Sequence, residues 1–294
     1  MRRLYVCMTL AASLSLFAQG RDWSKVEIKA EKVSGSVYML TGAGGNIGVS
    51  VGDDGIVVID DQYAPLAPRI EAAMKAIADK PVRFIINTHY HPDHTGGNEY
   101  FGQKGTLVAH DNVRKKLESG TIVRGTTFPP QPKGALPIVT FNDTLTLHLN
   151  GEDIRAVHTP PGHTDGDSVI WFTKSNVVHM GDLFFNGLFP VIDLDNGGSV
   201  QGIIAAVEKV LPLISDDAKV IPGHGPLSDK AGLKKFVEVM KGTSAAVQKG
   251  IAAGKTVEQL KTEKVLEPWD AWGQGFIKTD PFIETLYKSL TLHR

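Results

Sequence analysis

Three histidines and an aspartate fall within six residues of the stretch "NTHYHPDHTGGN": His89, His91, Asp93 and His94. Imidazole and carboxylate are the side chains that bind zinc where thiolate is missing. His89 and His91 are two apart at the exit of the apolar run "VRFII", a spacing that puts both on one side of an extended chain. Asp93 and His94 follow Pro92, which turns the chain. Two ligand pairs result, and neither is complete, because zinc takes about four ligands. Three later apolar runs end in Gly-bearing turns that can complete them: "TPPGHTDGD" offers His163, "VVHMGDLFF" offers Asp182 and "VIPGHGP" offers His224. On its own Asp182 would be an ordinary turn aspartate, and only the neighbouring motifs make it a ligand candidate. His110, His148, His158, His179 and His293 stand apart and read as satisfied or exposed side chains.

The segments around these residues alternate strand and helix signals. "KVEIKAEKV", "SVYMLTG", "NIGVSVG", "GIVVIDD" and "VRFIINT" read as strands, with a Pro-marked helix over "APLAPRIEAAMKAIA". "GTLVAH", "TLTLHL", "DIRAVHT", "SVIWF", "VVHMG" and "AKVIPGHG" read as further strands. "NVRKKLES", "SVQGIIAAVEKVLPLI" and "DKAGLKKFVEVMKGTSAAVQKG" read as helices. "TVEQLK" starts on a capping residue, and "DPFIETLYKSL" is expected to use Asp280 as N-cap with Pro281 at the first helical position. Gly120 to Phe141, with four prolines and three glycines, is expected to form a long surface loop. No linker of low complexity divides residues 21–294, so one α/β domain is expected there.

Residues 1–20 carry the pattern of a cleaved signal peptide: a basic "MRR", an apolar core too short to span a bilayer, then small residues in "AQG". A periplasmic or secreted protein without a stable membrane anchor is the expectation. Cys7, the only cysteine, lies in that segment. The mature chain therefore has no disulfide, cysteine nucleophile or thiolate ligand. Lys and Arg total 31 against 32 Asp and Glu, for a formal net charge of −1. Such a balance lacks the basic surface that nucleic acid requires, and a small-molecule substrate is expected. No pattern in the chain encodes an oligomeric state.

"HYHPDH", "GHTDGD", Gly181-Asp182 and Gly223-His224-Gly225 occur in the order of the metal motifs of the metallo-β-lactamase superfamily, and the chain resembles that family over nearly all of its mature length. The resemblance implies an α/β fold, a four-layer αβ/βα sandwich, with two Zn2+ held between the sheets. It implies that His89, His91 and His163 bind the first ion, that Asp93, His94 and His224 bind the second, and that Asp182 bridges them. Asp60, in "VVIDD", falls on the family's early aspartate and is expected to support the site from behind the ligands. Asp182 stands where one β-lactamase subclass has cysteine and another usually has serine. An aspartate bridge instead resembles glyoxalase II and lactonases. Phe185 occupies the place of the lysine that grips the drug carboxylate in the cysteine-bearing subclass. Phe185, Asn186 and Asn46 are accordingly candidates for the substrate pocket.

Five neutral imidazoles, two carboxylates, two zinc ions and a bridging hydroxide leave about one positive charge, suited to a developing oxyanion. The expected reaction is attack of that hydroxide on a lactam, lactone, ester or thioester carbonyl, oriented by Asp93, with β-lactamase activity among its forms. Alternatives are a glyoxalase II-like thioesterase or lactonase, a mononuclear iron dioxygenase, a phosphodiesterase or nuclease, and a non-catalytic metal-binding protein. The second ligand set argues against a single iron. The export pattern and near-neutral charge argue against a nuclease.

Overall fold

The computed structural model describes residues 22–292. The signal-peptide segment and His293 lie outside the described residues. The described residues open with nine strands: β1 (Lys29–Ser34), β2 (Val37–Thr41), β3 (Ile47–Gly52), β4 (Gly55–Ile59), β5 (Val82–Asn87), β6 (Thr106–His110), β7 (Thr121–Val123), β8 (Thr126–Phe128) and β9 (Val139–Phe141). Six more follow: β10 (Thr144–Leu149), β11 (Glu152–His158), β12 (Ser168–Phe172), β13 (Val177–His179), β14 (Lys219–Ile221) and β15 (Ser228–Asp229). The helices are α1 (Ala67–Ile77), α2 (Pro92–Thr95), α3 (Asn98–Phe101), α4 (Asp111–Ser119), α5 (Val200–Val210), α6 (Lys230–Ala252), α7 (Val257–Thr262) and α8 (Thr279–Leu292).

Two sheets face each other, one ordered β1-β2-β3-β4-β5-β6-β9 and the other β10-β11-β12-β13-β14-β15. Between them lies a shared core in which Val57, Ile59, Ile86 and Val108 of the first sheet meet Ile154, Ile170, Phe172 and Ile221 of the second. β4 is buried at every residue. That matches its near-continuous apolar sequence and its place in the parallel β4-β5-β6 run, where both sheet faces are covered. On the outer side, Leu66, Ile70 and Met74 pack α1 and the turn before it onto the first sheet. α5, α6 and α8 cover the second sheet through Ile203, Val207, Phe236, Met240, Phe282 and Leu286. This is the expected αβ/βα sandwich.

Local signals set the helix starts. Ser199 caps α5 by accepting from Gly202 N at 3.0 Å, and Asp229 caps α6 from Gly232 N at 2.9 Å. Thr256 and Gln259 form a capping box at α7, as its first residue suggested. Two expectations are corrected. α8 begins at Thr279, so Asp280 sits inside the first turn and favours the helix by its charge near the N-terminal dipole instead of capping it. The Gly120 to Phe141 segment is not loop throughout. Arg124 and Gly125 both adopt positive φ, at 49° and 78°, the geometry of a two-residue hairpin turn, and β7 pairs with β8 across it. β9 then joins the first sheet parallel to β6. Among the described residues no helix is long and apolar enough to cross a membrane.

Candidate functional site

All seven ligand candidates meet at one edge of the sandwich, where strand exits from both sheets converge. His89, His91, His163 and Asp182 form one group and Asp93, His94 and His224 a second, the potential ligand atoms in each lying within 4.8 Å of one another. His89 to His94 come from the β5 exit and the short α2, His163 from the turn between β11 and β12, Asp182 from the single turn after β13, and His224 from the exit of β14. Asp182 faces both groups. Its Oδ1 is 3.1 Å from His94 Nε2, and its Oδ2 is 3.5 Å from His163 Nε2, 3.4 Å from His224 Nε2 and 3.8 Å from His89 Nε2.

Each of four imidazoles is fixed by its outward nitrogen, which leaves the other nitrogen aimed inward. Nδ1 of His94 donates to Asp60 Oδ2 at 2.8 Å. Nδ1 of His163 donates to the Val191 carbonyl at 2.7 Å. Nε2 of His91 donates to Asp193 Oδ2 at 3.0 Å, a carboxylate that also takes the Tyr90 hydroxyl hydrogen bond. Nδ1 of His89 donates to Thr88 Oγ1 at 3.0 Å, whose own proton goes to Asp60 Oδ2 at 2.7 Å. Asp60 thus holds two ligand candidates, one directly and one through Thr88. It adopts φ 62°, an uncommon conformation for a residue with a Cβ, which bends the chain after β4.

The backbone is pressed close around the side chains. A Cβ on Gly45 would lie 2.1 Å from the His94 ring, and one on Gly223 would lie 2.0 Å from Asp182 Oδ1, so only glycine fits at either place. The Gly42 to Asn46 loop is held there by Gln62 Nε2 on Gly45 O at 2.7 Å and by Gly45 N on Asp93 O at 3.0 Å. His179, fully buried, ties the same loop to the second sheet by donating to Asn46 O at 3.0 Å.

The donor set fits metal ions. His91 Nδ1 and His163 Nε2 face each other at 2.8 Å with their outward nitrogens already engaged, and His89 Nε2 is buried with no hydrogen-bond partner. Converging lone pairs of this kind are satisfied by a cation. Titration divides along the same line. Burial pushes His89 well below the usual imidazole range and lowers His163 to about 4, so both are neutral at pH 7. Burial also opposes charge on His94 and His224, but Asp182 and Asp93 outweigh it, raising His94 well above its usual value and His224 to about 9. Against the cost of burial, His94 and His224 hold Asp93 down to about 2, and His224 and His94 keep Asp182 ionised. In the free chain, protons on these histidines stand where metal charge would stand.

Two of the three pocket candidates are corrected. Phe185 is 1% exposed and stacks on His224 with ring centroids 4.9 Å apart, so it backs a ligand candidate and does not meet substrate. Both N–H bonds of the Asn46 amide are used inward, on Pro222 O at 2.9 Å and Gly225 O at 2.8 Å, and it braces the His224 turn. Asn186, half-buried, donates one amide N–H to Pro226 O at 3.0 Å, which leaves the rest of its amide free for a ligand. Phe184 and Phe189 of the same loop are fully buried, and Trp269 and Trp272 pack against the second sheet's outer core, as expected of core residues. The histidines read as bystanders are satisfied: His110 and His158 stack at 3.7 Å, and His148 pairs with Asp153 at 2.7 Å. Sequence reading missed Asp193, Thr88, Tyr90 and Gln62. Tyr90 lay between two ligand candidates, but nothing in the spacing of "VIDLDNGG" separates Asp193 from a turn acid.

Comparison with known proteins agrees with this geometry. The sequence profile described as the Metallo-beta-lactamase superfamily matches residues 40–224, more than half of the chain. The chain is 24% identical over 250 residues to the 2,4-dinitroanisole O-demethylase subunit alpha of Nocardioides sp. (strain JS1661), covering 83% of this chain and 72% of that one. It is 30% identical over 152 residues to a hydroxyacylglutathione hydrolase of Nitrosococcus oceani, covering half of each. The structure of a metallo-beta-lactamase from Pontibacter korlensis superposes with a TM-score of 0.61 at 19% identity, covering 73% of this chain and 99% of that one, and so shares the fold. From the two facing sheets, the seven converging side chains at their edge and the match across residues 40–224, the chain belongs to the metallo-β-lactamase superfamily.

Proposed function

We propose that this protein is a metal-dependent hydrolase of small carbonyl compounds, with two zinc ions at the converged site and esters, thioesters and lactones as its preferred class. The observation that carries the reading is the position of Asp182, within 3.1 to 3.8 Å of imidazole nitrogens from both ligand groups. His89, His91 and His163 would hold one ion, Asp93, His94 and His224 the other, and Asp182 both. Such ions supply an activated water at neutral pH and electrophilic pull on a carbonyl oxygen. The chain's own part is orientation and proton handling. Asp60, Thr88, Asp193 and the Val191 carbonyl fix the imidazoles. Asp93, with 23% of its side chain open to solvent against 4% for Asp182, is the carboxylate placed to hold and pass the proton of the attacking water. In hydrolysis a C–O bond forms, the C–O, C–S or C–N bond to the leaving group breaks, and the proton goes to that group.

Within the carbonyl class, the aspartate bridge, the likeness to a hydroxyacylglutathione hydrolase and the sealed position of Phe185 favour thioesters and esters over carboxylate-bearing β-lactams. The test is to load the protein with zinc, count bound ions and assay S-lactoylglutathione, an acyl-homoserine lactone, a penicillin and a phosphodiester. Turnover of a carbonyl substrate with about two ions bound supports the reading. Turnover of the phosphodiester alone, or one iron with oxygen uptake, overturns it. Export is part of the proposal, supported by the "MRR" and "AQG" pattern. It is checked by finding the chain outside the cytoplasm with residues 1–20 removed.

Asp60→Ala tests the support behind the ligands. The change leaves His94 Nδ1 and Thr88 N without their acceptors. Outer partners of metal ligands are worth about 10- to 100-fold in affinity or activity, so zinc affinity at the Asp93, His94 and His224 set should fall by that order. Competition with a chelator measures it, and unchanged affinity would show that Asp60 only shapes the turn.

A further inference from the structure

Phe276 is a phenylalanine left in water. It is 64% exposed, and it is the only aromatic among the large apolar side chains exposed in the described residues. Its ring nevertheless meets a ligand candidate, lying 5.2 Å from the His224 imidazole at an interplanar angle of 74°. Phe185 stacks on the same imidazole from the buried side, so His224 has one aromatic behind it and a second that stays open.

The turn that presents Phe276 is built. Gly275 passes close over the half-buried Leu188, where an added Cβ would lie 2.8 Å from Leu188 Cδ2. Phe189 N donates to the Trp272 carbonyl at 2.9 Å, and Thr279 Oγ1 to Asp270 at 2.8 Å, fixing the segment on both sides. Ile277, the next residue, is 4% exposed and anchors the turn in the outer core. An apolar ring fixed beside the reacting centre and denied burial in the free protein gains it when substrate covers it.

We propose that Phe276 is a specificity-determining residue, an aromatic platform for the acyl portion of the substrate, and that the preferred substrates carry an aromatic or planar apolar group next to the scissile carbonyl. The proposal rests on the hydrolase reading above for its choice of substrates. The test compares zinc-loaded wild type, Phe276→Ala and Phe276→Trp on two thioesters of one thiol, phenylacetyl and acetyl. Beside it, calorimetry measures the binding of phenylacetate and of acetate.

The expected result for Phe276→Ala is a rise of about tenfold in KM for the phenylacetyl substrate, with kcat changed less, and about a twofold change for the acetyl substrate. Phe276→Trp keeps the preference, and zinc content is unchanged in both variants. Equal losses on both substrates, or loss of zinc, would show that the ring only shields His224 and would overturn the proposal, as would an unchanged preference. Should wild type hydrolyse neither thioester, the hydrolase reading is what fails for this class. Phenylacetate binding then decides on the platform: weakening only in Phe276→Ala keeps it, and no change removes it.

Discussion

Asp182→Ala is expected to take the zinc-loaded protein from about two bound ions to about one and to lower kcat/KM by more than about 100-fold, the size that loss of a mere outer partner of a metal ligand can reach. The loss is uneven because the two groups depend on Asp182 differently. His89, His91 and His163 keep three imidazoles with their tautomers set by Thr88, Asp193 and Val191 O, and three nitrogens can still hold an ion. Asp93, His94 and His224 keep only two imidazoles and a partly exposed carboxylate. In the free chain Asp182 is also the strongest opposing charge acting on His94 and His224. Without it those rings carry their protons less readily, so the variant's own fold loses a buried ion-pair network as well. Asp182→Asn separates these effects, since it keeps the shape and removes the charge. Two ions and full activity in the alanine variant would reduce Asp182 to a turn residue.

How much of this was legible beforehand depends on the kind of signal. The ligand candidates were readable because imidazole and carboxylate at strand exits have few other reasons to recur with Gly-bearing turns. An α/β domain followed from continuous apolar runs such as "GIVVI" next to a periodic helix, and its four-layer arrangement only from the resemblance carried by the motifs. What stayed hidden was everything set by packing across the two sheets. Asn46 reads as a pocket amide in sequence, yet its N–H bonds are consumed by Pro222 O and Gly225 O, more than 170 residues away. Phe185 aligns with a drug-binding position, but the bridge between Phe185 and His224 turns its ring against the imidazole. Asp193 carries no motif and is recruited to His91 only by the fold. The Gly120 to Phe141 error has a local cause. Its prolines cluster at Pro129, Pro130, Pro132 and Pro137, outside the short pairing segments, so composition averaged over the whole stretch concealed a hairpin and an edge strand.

Acidification should empty the second ligand set well before the first. Metal binds imidazole only after the proton leaves, so affinity falls with pH wherever the free site holds protons. In the free chain His224 titrates at about 9 and His94 is raised well above its usual value, so both are protonated through the neutral range. Filling the Asp93, His94 and His224 set therefore releases up to two protons. His163, lowered to about 4, and His89, pushed by burial well below its usual range, are already neutral, and filling their set releases fewer. The sign follows: as pH falls from 8 to 6, protons compete at His94 and His224 and hardly at all at His89 and His163. Each proton released costs about a tenfold loss of affinity per pH unit, so the second set should weaken by about 10- to 100-fold per unit while the first changes far less. An ion already in the first set adds positive charge nearby and lowers His94 and His224, which pulls the slope toward the smaller figure. Equilibrium dialysis of the zinc-loaded protein across this range should show one ion leaving with a steep pH dependence and the other retained. Calorimetry in buffers of different ionisation enthalpy should count the protons. Two ions lost together, or a second ion whose affinity does not change between pH 8 and 6, would mean that His94 and His224 are not the proton-bearing ligands the geometry makes them.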